Sequence, residues 1–473
     1  MSETQTLTLS VDCGSTNLKA AVFDDQFERL TEASVPVEYS VDDGVNVEFC
    51  AASAVAGWRS LLDSVLRPLS SWEGMIGCVA ITSQAQTFTL IDPSGEAITP
   101  FYSWMDRRAE KEAAEIGAAL GGEFHEHCSF SSPVPQLQSA KVLWADRHMR
   151  GGLPADARLV SLPAFFAMDL GLPNITDSNL AAMGGLYSLG EGGWWKEALV
   201  LCGLRRDQLP DVVAVGQRVR IAGAPKHLDP ECDVVFAGND QTSGAFGNGC
   251  HRGGMVVTLG TALVVYRYAG EEPGPYHTEA CWGPYPGGGY YELSTRDGGC
   301  RALDWAREKL MPRRSAAEFD RAADRALGDD GVPGHDWCFF YPQRLDAETS
   351  WQGEGTSGER AHAVLEGIGF LLRHLIETEL KADRSPSEIT VTGGGSHSAV
   401  WVRMLADILG CPVRPGAGDS LLGSALMCGG RPESEVGRST ISVADAALPQ
   451  SERKAAYEQR YKMWVNGLPG GEV

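Results

Sequence analysis

The sequence has no apolar run of the roughly 18 to 20 residues that a membrane-spanning helix needs. Its 12 cysteines are scattered, with no C-x-x-C pair and no His/Cys cluster at the spacing of a zinc site. The N-terminus lacks the basic-then-apolar pattern of a signal peptide. These absences exclude a membrane-spanning helix, and they predict a cytoplasmic protein whose thiols are free.

Positive charge is also scarce. The chain has 40 Lys and Arg against 62 Asp and Glu, and its formal net charge is -22. Nucleic acids and anionic membranes are bound by clustered Lys and Arg, so neither is predicted as a partner. With 473 residues, 43% of them hydrophobic, the chain is long enough for about three ordinary domains or for two large ones. We predict a boundary within the glycine-rich segment 244–254, which gives domains of residues 1–246 and 247–473.

Strand-like and helix-like segments alternate in both halves of the chain, which is typical of layered α/β folds. Apolar runs predict strands at Ile76–Ile81, Phe88–Ile91 and Ile389–Val391. Helices are predicted over Arg107–Leu120, around Val364–Leu375, and from about Ser398 to Gly410, where apolar residues recur every three or four positions or Ala and Glu dominate.

Two short glycine hairpins about 250 residues apart each follow an apolar strand. In the first, Leu7–Val11 precedes Asp12–Asn17, and in the second, Met255–Leu259 precedes Gly260 and Thr261. A glycine turn with neighbouring hydroxyls can direct several donors at a phosphate oxygen. The pair therefore predicts a nucleoside triphosphate held by two lobes, with Asp12 as a Mg²⁺ ligand, directly or through water. The predicted phosphate contacts are Gly14, Ser15, Thr16, Asn17, Lys19, Gly260 and Thr261.

A third glycine loop, Thr392–Ser396, joins a strand to an amphipathic helix. Such a loop lets a ribose or a flat ring approach the backbone closely, and a helix N-terminus favours anionic groups. Gly394, Gly395 and Ser396 are therefore predicted to bind the nucleotide as well. A flexible loop without ligand is the alternative.

Asp240 lies in a Gly/Asn-rich turn after an apolar strand, and it is the candidate general base for phosphoryl transfer. An acceptor rich in hydroxyls is predicted from an aromatic face combined with charged and amide side chains. The candidate substrate residues are Gln84, Gln86, Trp104, Asp106, Arg108 and Gln241. The alternative is structural, because Asp in such contexts often forms turns or caps helices.

In this order along the chain, the motifs resemble the FGGY family of carbohydrate kinases, within the actin/hexokinase/Hsp70 ATPase superfamily. Lys141 and Trp144 match a recurrent Lys-x-x-Trp of that family, and Thr176–Ala181 is similar to its Thr-Asp…Asn-Ala segment. The resemblance implies an α/β fold of two RNase H-like (actin-like ATPase) domains flanking a deep cleft. It also implies an N-terminal domain for sugar binding and catalysis, a C-terminal domain for the nucleotide, and an ATP- and Mg²⁺-dependent kinase with Asp240 as base.

The substrate does not follow from the resemblance. Glycerol kinases carry an Arg-Glu pair where this chain has Ala85 and Gln86, and xylulokinases usually carry Met-His there. We expect a primary hydroxyl of a ketose or polyol to be phosphorylated, with a pentulose or heptulose such as xylulose or sedoheptulose favoured. A homodimer is allowed by the resemblance. The alternative function is a non-catalytic ATP- and sugar-binding regulator of the same fold.

Overall fold

A computed structural model describes residues 6–72, 75–225, 227–250, 254–275, 280–328, 331–345, 349–380, 386–429 and 446–468. The chain forms two compact units. The first takes its described residues from Met1–Gly249, Ala269–Tyr291 and Gly418–Thr440, and the second from Cys250–Tyr268, Glu292–Ala417 and Ile441–Val473. The predicted division into residues 1–246 and 247–473 stays a prediction.

Strands and helices alternate along the chain. The strands are Leu7–Cys13, Asn17–Phe23, Arg29–Pro36, Val41–Asp42, Val47–Phe49, Ile76–Ser83, Phe88–Ile91, Phe101–Tyr102, Arg158–Ser161, Ile175–Asp177, Tyr187–Ser188, Gly193–Trp194, Asp211–Val213, Arg218–Arg220, Leu228–Asn239, Met255–Leu259, Leu263–Gly270, Cys281–Pro284, Tyr290–Arg296, Phe339–Phe340, Trp351–Gln352, Ile389–Thr392 and Val413–Pro415. The α-helices are Ala51–Leu66, Glu110–Leu120, Phe124–His127, Gln138–His148, Leu162–Asp169, Ser178–Ala182, Lys196–Leu201, Asp240–Gly247, Cys300–Leu310, Ala316–Ala326, Ser357–His374, Ala399–Leu409, Ser420–Cys428 and Ser451–Asn466. Short 3₁₀ turns lie at Arg67–Trp72, Arg206–Gln208 and Gly394–His397, and a π-turn at Leu375–Glu379.

The main sheet of the first unit has six strands. Their order is Arg218–Arg220, Leu228–Asn239, Ile76–Ser83, Leu7–Cys13, Asn17–Phe23 and Arg29–Pro36. The three strands at its centre run parallel, so that Asp12 pairs with Thr82, and Ser83 with Asn239. Parallel strands place their carboxyl ends along one edge of the sheet, where open α/β sheets bind ligands. The first hairpin, Gln84 and Asp240 all follow these ends.

One face of this sheet is covered by the helix Ala51–Leu66, whose Trp58 is fully buried and stacks on Phe166 with 4.8 Å between ring centroids. Helix Ser420–Cys428 also packs on the sheet, where Ser424 lies 2.6 Å from Ser10. It brings Cys428 to Cys78 on the strand Ile76–Ser83, and the two form a disulfide with 6.3 Å between their Cα atoms. The prediction that all thiols are free is therefore wrong for this pair, which is 350 residues apart in sequence.

The second unit has a sheet in which the strand Met255–Leu259 runs antiparallel to Leu263–Gly270 and parallel to Ile389–Thr392. Thr258 pairs with Thr392, so the second hairpin and the third glycine loop leave adjacent strands. Three helices, Ser357–His374, Ala399–Leu409 and Ser451–Asn466, pack together in this unit.

The predicted strands at residues 76–81, 88–91 and 389–391 are confirmed, each within one or two residues at its ends. The helix predicted over Arg107–Leu120 begins later, at Glu110, because Arg107 and Arg108 belong to a loop that is tied to neighbouring strands. The helix predicted to end at Gly410 does so, with that residue in the left-handed conformation at φ 68°. Within the described part of the chain, no helix is long and apolar enough to span a membrane.

Candidate active site

Asp240 opens the helix Asp240–Gly247 at the end of the central strand Leu228–Asn239. The side chain of Asn239 caps this helix by accepting a hydrogen bond from the Thr242 amide at 2.9 Å. Asp240 itself is half-buried, and the Gln241 amide donates to its Oδ1 at 2.9 Å. Burial, with a smaller contribution from the nearby Asp12 carboxylate, raises the pKa of Asp240 to about 7. A carboxyl that titrates near neutral pH is well suited to act as a general base.

The turn that precedes Asp240 is fixed by hydrogen bonds to Asn179 in the segment 176–181. Asn179 accepts hydrogen bonds from the backbone amide and the side chain of Asn239, at 3.0 and 2.8 Å, and donates to Thr242 Oγ1 at 3.0 Å. Gly238 has φ 73°, and a Cβ there would lie 3.0 Å from the Asn179 amide group. The Thr-Asp…Asn-Ala motif therefore fixes residues on both sides of the candidate base.

Asp12 lies near Asp240, on the neighbouring part of the same sheet edge. Its side chain is 7% exposed, and Ser420 Oγ donates to its Oδ2 at 2.7 Å. Oδ1 is buried and has no hydrogen-bond partner among the described residues. Burial raises the pKa of this carboxyl, against the lowering effects of Ser420 and Lys19. A buried carboxylate oxygen with unused acceptor capacity fits a site for a hard cation.

No group of three or more His, Cys, Asp or Glu side chains that could hold a metal occurs in the described part of the chain. Mg²⁺ is usually held by one or two carboxylates together with water and substrate phosphates rather than by an all-protein cage. The unpartnered Oδ1 of Asp12 is an oxygen ligand of the kind that such a site uses.

The first hairpin lies beside these carboxyls. Gly14, Ser15 and Asn17 are half-exposed, whereas Thr16 and Lys19 are exposed. Tyr39 donates from its hydroxyl to the Ser15 carbonyl at 2.8 Å, and Lys19 is close enough to lower the pKa of both Asp12 and Asp240. The predicted phosphate residues of the first unit are thus accessible and lie next to the predicted base.

Gln84 and Gln86 lie on the turn that follows the central strand Ile76–Ser83. Gln84 donates from its backbone amide to the Cys13 carbonyl at 3.0 Å, and its side-chain nitrogen lies 3.4 Å from the Gly14 carbonyl. Gln86 has φ 63°, a left-handed conformation that non-glycine residues seldom adopt. Such strain often marks functional turns, where the surrounding structure holds it in place.

The loop 103–108 is joined to this turn, because the Trp104 amide donates to Thr87 Oγ1 at 3.0 Å. Trp104 is 40% exposed, so its ring is free to stack on a ligand. Asp106, by contrast, is fully buried and accepts from the Val47 amide at 2.7 Å and from Arg108 Nε at 2.9 Å. In the described structure Asp106 therefore braces the loop, and its contact with substrate stays a prediction.

Arg108, the ion-pair partner of Asp106, is also fixed by several contacts. Its guanidinium pairs with Glu48 at 2.5 Å and with Asp106 at 2.7 Å, and it lies 4.9 Å from the ring centroids of both Tyr102 and Trp144. Cation–π contacts of this kind hold a guanidinium in one orientation. Trp144 of the Lys-x-x-Trp motif thus fixes Arg108, and its partner Lys141 donates to the Ser103 carbonyl at 2.8 Å.

Lys141 is fully buried, and burial lowers its pKa to about 7, against the raising effect of Asp106. In the unfolded chain this amine titrates near 10.5, so between pH 7 and 10.5 the unfolded state binds more protons than the folded state. The contribution of Lys141 to the free energy of unfolding must therefore rise with pH across that window.

From pH 7 to pH 9, the free energy of unfolding of the wild type should rise relative to that of Lys141→Met. The rise should be at most about 1.4 kcal/mol per pH unit. Urea unfolding at several pH values measures it. The exposed Lys196 supplies the control, since Lys196→Met removes an amine without a burial cost. Parallel pH curves for wild type and Lys141→Met would show that the buried amine does not titrate in this range.

The second unit brings together the other predicted nucleotide residues. The Gly260 carbonyl accepts from the Cys300 amide at 2.7 Å, and the Thr261 carbonyl from the Arg301 amide at 3.3 Å, so the N-terminus of the helix Cys300–Leu310 fixes the second hairpin. Gly260 is half-exposed and Thr261 is exposed. Gly394 is exposed, whereas Gly395 and Ser396 are buried, and Ser396 Oγ donates to the Gly393 carbonyl at 2.7 Å.

The third glycine loop is packed against the second hairpin. Gly393 has φ 80°, and a Cβ there would lie 2.7 Å from the Leu259 carbonyl oxygen. Gly394, the next residue, has open space at the same position and no positive φ. The two neighbouring glycines therefore differ in what a methyl group would cost.

We expect Gly393→Ala to lower the free energy of unfolding by about 1–2 kcal/mol, because the left-handed conformation and the close carbonyl both disfavour a side chain. ATP affinity should fall as well, since the loop must shift. Thermal melting and nucleotide titration measure the two effects, with Gly394→Ala as the matched control. Equal behaviour of the two variants would contradict this account of the loop.

Two residues near the site carry no motif of their own. Ser420 donates to Asp12, which lies 408 positions earlier in the sequence. Glu48 pairs with Arg108, which lies 60 positions later. The only sequence signal for Ser420 is its place after Asp419 at a helix start, where Asp419 accepts from the Leu422 amide. That pattern indicates a helix cap and nothing about the partner.

The sequence matches models of a known protein family. A family model for the N-terminal domain of the FGGY family of carbohydrate kinases matches residues 7–247, and the model for the C-terminal domain of that family matches residues 255–429. A xylulose kinase from Klebsiella pneumoniae is 23% identical over 424 residues, which cover 85% of this chain and 84% of that protein. A glycerol kinase from Trichlorobacter lovleyi is 26% identical over 460 residues, 89% of each chain.

Among solved structures, the xylulose kinase from Rhodospirillum rubrum matches with a TM-score of 0.85 and 21% identity over 98% of both chains. At that identity the likeness shows the fold, and it confirms the predicted two-domain α/β architecture of the actin-like ATPase type. The two family models together cover most of the sequence. The chain therefore belongs to the FGGY family of carbohydrate kinases.

Proposed function

We propose that this kinase transfers the γ-phosphoryl group of ATP to a primary hydroxyl of a ketose or polyol, with Asp240 as the general base. The observation that carries the proposal is the carboxyl pair at the edge of the central sheet. Asp240 is half-buried with a pKa raised to about 7, chiefly by burial, and Asp12 lies close enough to contribute to that shift. Similar proteins act on chemically different acceptors, since they include a xylulose kinase and a glycerol kinase.

In this mechanism the acceptor lies against the exposed ring of Trp104, and the side-chain amides of Gln84, Gln86 and Gln241 bind its hydroxyls. Asp240 accepts the proton of the reacting hydroxyl as the phosphoryl group arrives. The hydrogen bonds between Asn179 and Asn239 fix the turn that carries Asp240, so its carboxylate stays oriented toward the acceptor during transfer.

Asp12 would hold Mg²⁺ through its unpartnered Oδ1, directly or through water. When bound, the ion would neutralise charge on the phosphates of ATP. In the first unit, the accessible residues Ser15, Thr16 and Lys19 of the first hairpin would contact the nucleotide. In the second unit, the glycine loops around Gly260 and Gly394 are the proposed nucleotide contacts.

Among acceptors we favour a pentulose or heptulose, such as xylulose or sedoheptulose. Ala85 and Gln86 stand where glycerol kinases have a charged Arg-Glu pair, so this turn carries a methyl group and an amide instead. Amides donate and accept hydrogen bonds without charge, which suits a chain of several hydroxyls. A homodimer stays a prediction, and light scattering of the purified protein checks it.

A coupled assay of ADP release tests the proposal across pentuloses, heptuloses, hexuloses, glycerol and tetritols. We expect stimulation by one acceptor class well above the rate with ATP alone, and we expect it to depend on Mg²⁺. If folded, ATP-binding protein releases no additional ADP with any of these compounds, the non-catalytic regulator becomes the better reading. The release of ADP only with glycerol would overturn the preference for a ketose.

A further inference from the structure

A small cavity is lined in part by the turn that carries Gln84 and Gln86. Its lining includes both glutamines together with Gln138, Ser161, Thr176 and Trp194. The space open to the centre of a water molecule is about 10 Å³, which corresponds to roughly one water and is far too small for a sugar. Trp104, which is exposed, does not line this cavity.

Three polar atoms on this lining have unused hydrogen-bonding capacity. Gln84 Oε1, Ser161 Oγ and Thr176 Oγ1 are buried and find no hydrogen-bond partner among the described residues. Their side chains are 4%, 7% and 3% exposed. A buried polar atom without a partner is energetically unfavourable, so three such atoms on residues that line one small space point to a shared partner within it.

Ser161 gives a further indication, because it stands at the N-cap of the helix Leu162–Asp169 and yet makes no side-chain capping bond. Serine at this position ordinarily accepts a hydrogen bond from the first turn. Here the Ser161 hydroxyl does not cap the helix, and Ser161 lines the cavity instead. Thr176 lines it from the short strand Ile175–Asp177, at the start of the segment 176–181 that supports Asp240.

We infer that one ordered water bridges Gln84 Oε1, Ser161 Oγ and Thr176 Oγ1. Water can donate to the amide oxygen while it accepts from a hydroxyl, and buried waters typically make about three such bonds. Among the described residues, the Gln84 side chain is held through a long contact, 3.4 Å from its nitrogen to the Gly14 carbonyl oxygen. The bridge therefore decides which way the amide of Gln84 faces.

Ser161 and Thr176 are, on this account, positioning residues that act on the acceptor through Gln84. This part rests on the proposed function, in which Gln84 binds the acceptor. The water site itself does not depend on that function, because it follows from the cavity and its three polar atoms.

The water site is tested by a crystal structure of the wild-type protein at high resolution, without and with an acceptor sugar. We expect density for one water within hydrogen-bond distance of all three atoms in both states. A cavity without density, or a sugar oxygen in this place, would overturn the inference. This measurement needs no catalysis, so its outcome is independent of whether Asp240 is the base.

The positioning role is tested by kinetics of Thr176→Val, which removes the hydroxyl and keeps the shape. We expect the KM for the acceptor to rise about 3- to 10-fold, as for the loss of one buried hydrogen bond, with kcat and the KM for ATP unchanged. Ser161→Ala should have the same effect, and Thr176→Ser should restore the wild-type KM.

The matched control is Thr31→Val, since Thr31 also donates its hydroxyl within the first unit, to the Val65 carbonyl at 2.9 Å, on a strand away from the cavity. We expect it to change thermal stability and leave the acceptor KM alone. If Thr176→Val lowers stability and likewise leaves the KM unchanged, the residue is merely structural and the positioning role is wrong. Should Thr176→Val fail to fold, Ser161→Ala and the electron density decide.

Discussion

Asp240→Asn should reduce sugar-dependent turnover by a factor of about 10² to 10⁴, the range associated with loss of a general base. The amide keeps the shape of the side chain and can still accept from the Gln241 amide, yet it cannot take up the proton of the acceptor hydroxyl. Burial raises the pKa of Asp240 to about 7, so its charged form is disfavoured in the folded state. Removing that charge should therefore leave the protein at least as stable at pH 8.

Steady-state kinetics with saturating acceptor measures the effect, and nucleotide titration should show ATP affinity largely retained. A matched control is Asp229→Asn, near the other end of the same strand, where the carboxylate is known among the described residues to accept from the Glu231 amide. Turnover close to wild type in Asp240→Asn would remove this residue from the role of base. Loss of ATP binding instead would indicate that the change disturbs the phosphate site.

Arg460→Met should lower the free energy of unfolding by about 3–5 kcal/mol, the largest stability effect we expect in the second unit. Arg460 and Glu366 are each 1% exposed and form two ionic hydrogen bonds of 2.6 Å. Arg460 also donates to the Gly334 carbonyl at 2.7 Å and to the Cys338 carbonyl at 3.2 Å. Without it, the Glu366 carboxylate and these carbonyls lose their partner in a buried place.

Chemical denaturation measures the loss, which corresponds to a fall in Tm on the order of 10 °C. The double variant Arg460→Met/Glu366→Leu should recover a large part of it, because an apolar pair leaves no uncompensated charge. For comparison, Arg314→Ala breaks an exposed pair with Glu318 and should cost less than about 1 kcal/mol. If Arg460→Met behaves like Arg314→Ala, the buried pair contributes no more than a surface one.

Local sequence patterns predicted the parts of the site that are encoded within a few residues. A glycine turn after an apolar strand is such a pattern, and the strands and loops around Asp12, Asp240 and Gly394 were predicted from it. Their proximity within each unit follows from the parallel pairing of the strands that carry them. The order of motifs along the chain was enough to indicate the family, because each motif keeps its place relative to the others.

The sequence could not show which polar residues are free for a ligand and which are already used. Asp106 and Arg108 have the residue types of a sugar site, yet their charges are satisfied by Val47, Glu48 and each other. The partners come from a strand about 60 residues earlier, and no local pattern records that pairing. Side chains that meet through tertiary packing, such as Cys78 and Cys428, are hidden for the same reason.

The helix Ser420–Cys428 has a consequence for how the polypeptide is made. It belongs to the first unit, where it hydrogen-bonds to Asp12 and covers the strands that begin the chain. During translation the sheet that this helix covers emerges from the ribosome well before residues 420–428 do. The nascent first unit must therefore wait, with an apolar face and the Cys78 thiol uncovered, until that helix has been made. Expressing residues 1–249 alone would leave that surface permanently open, which makes such a fragment prone to aggregate.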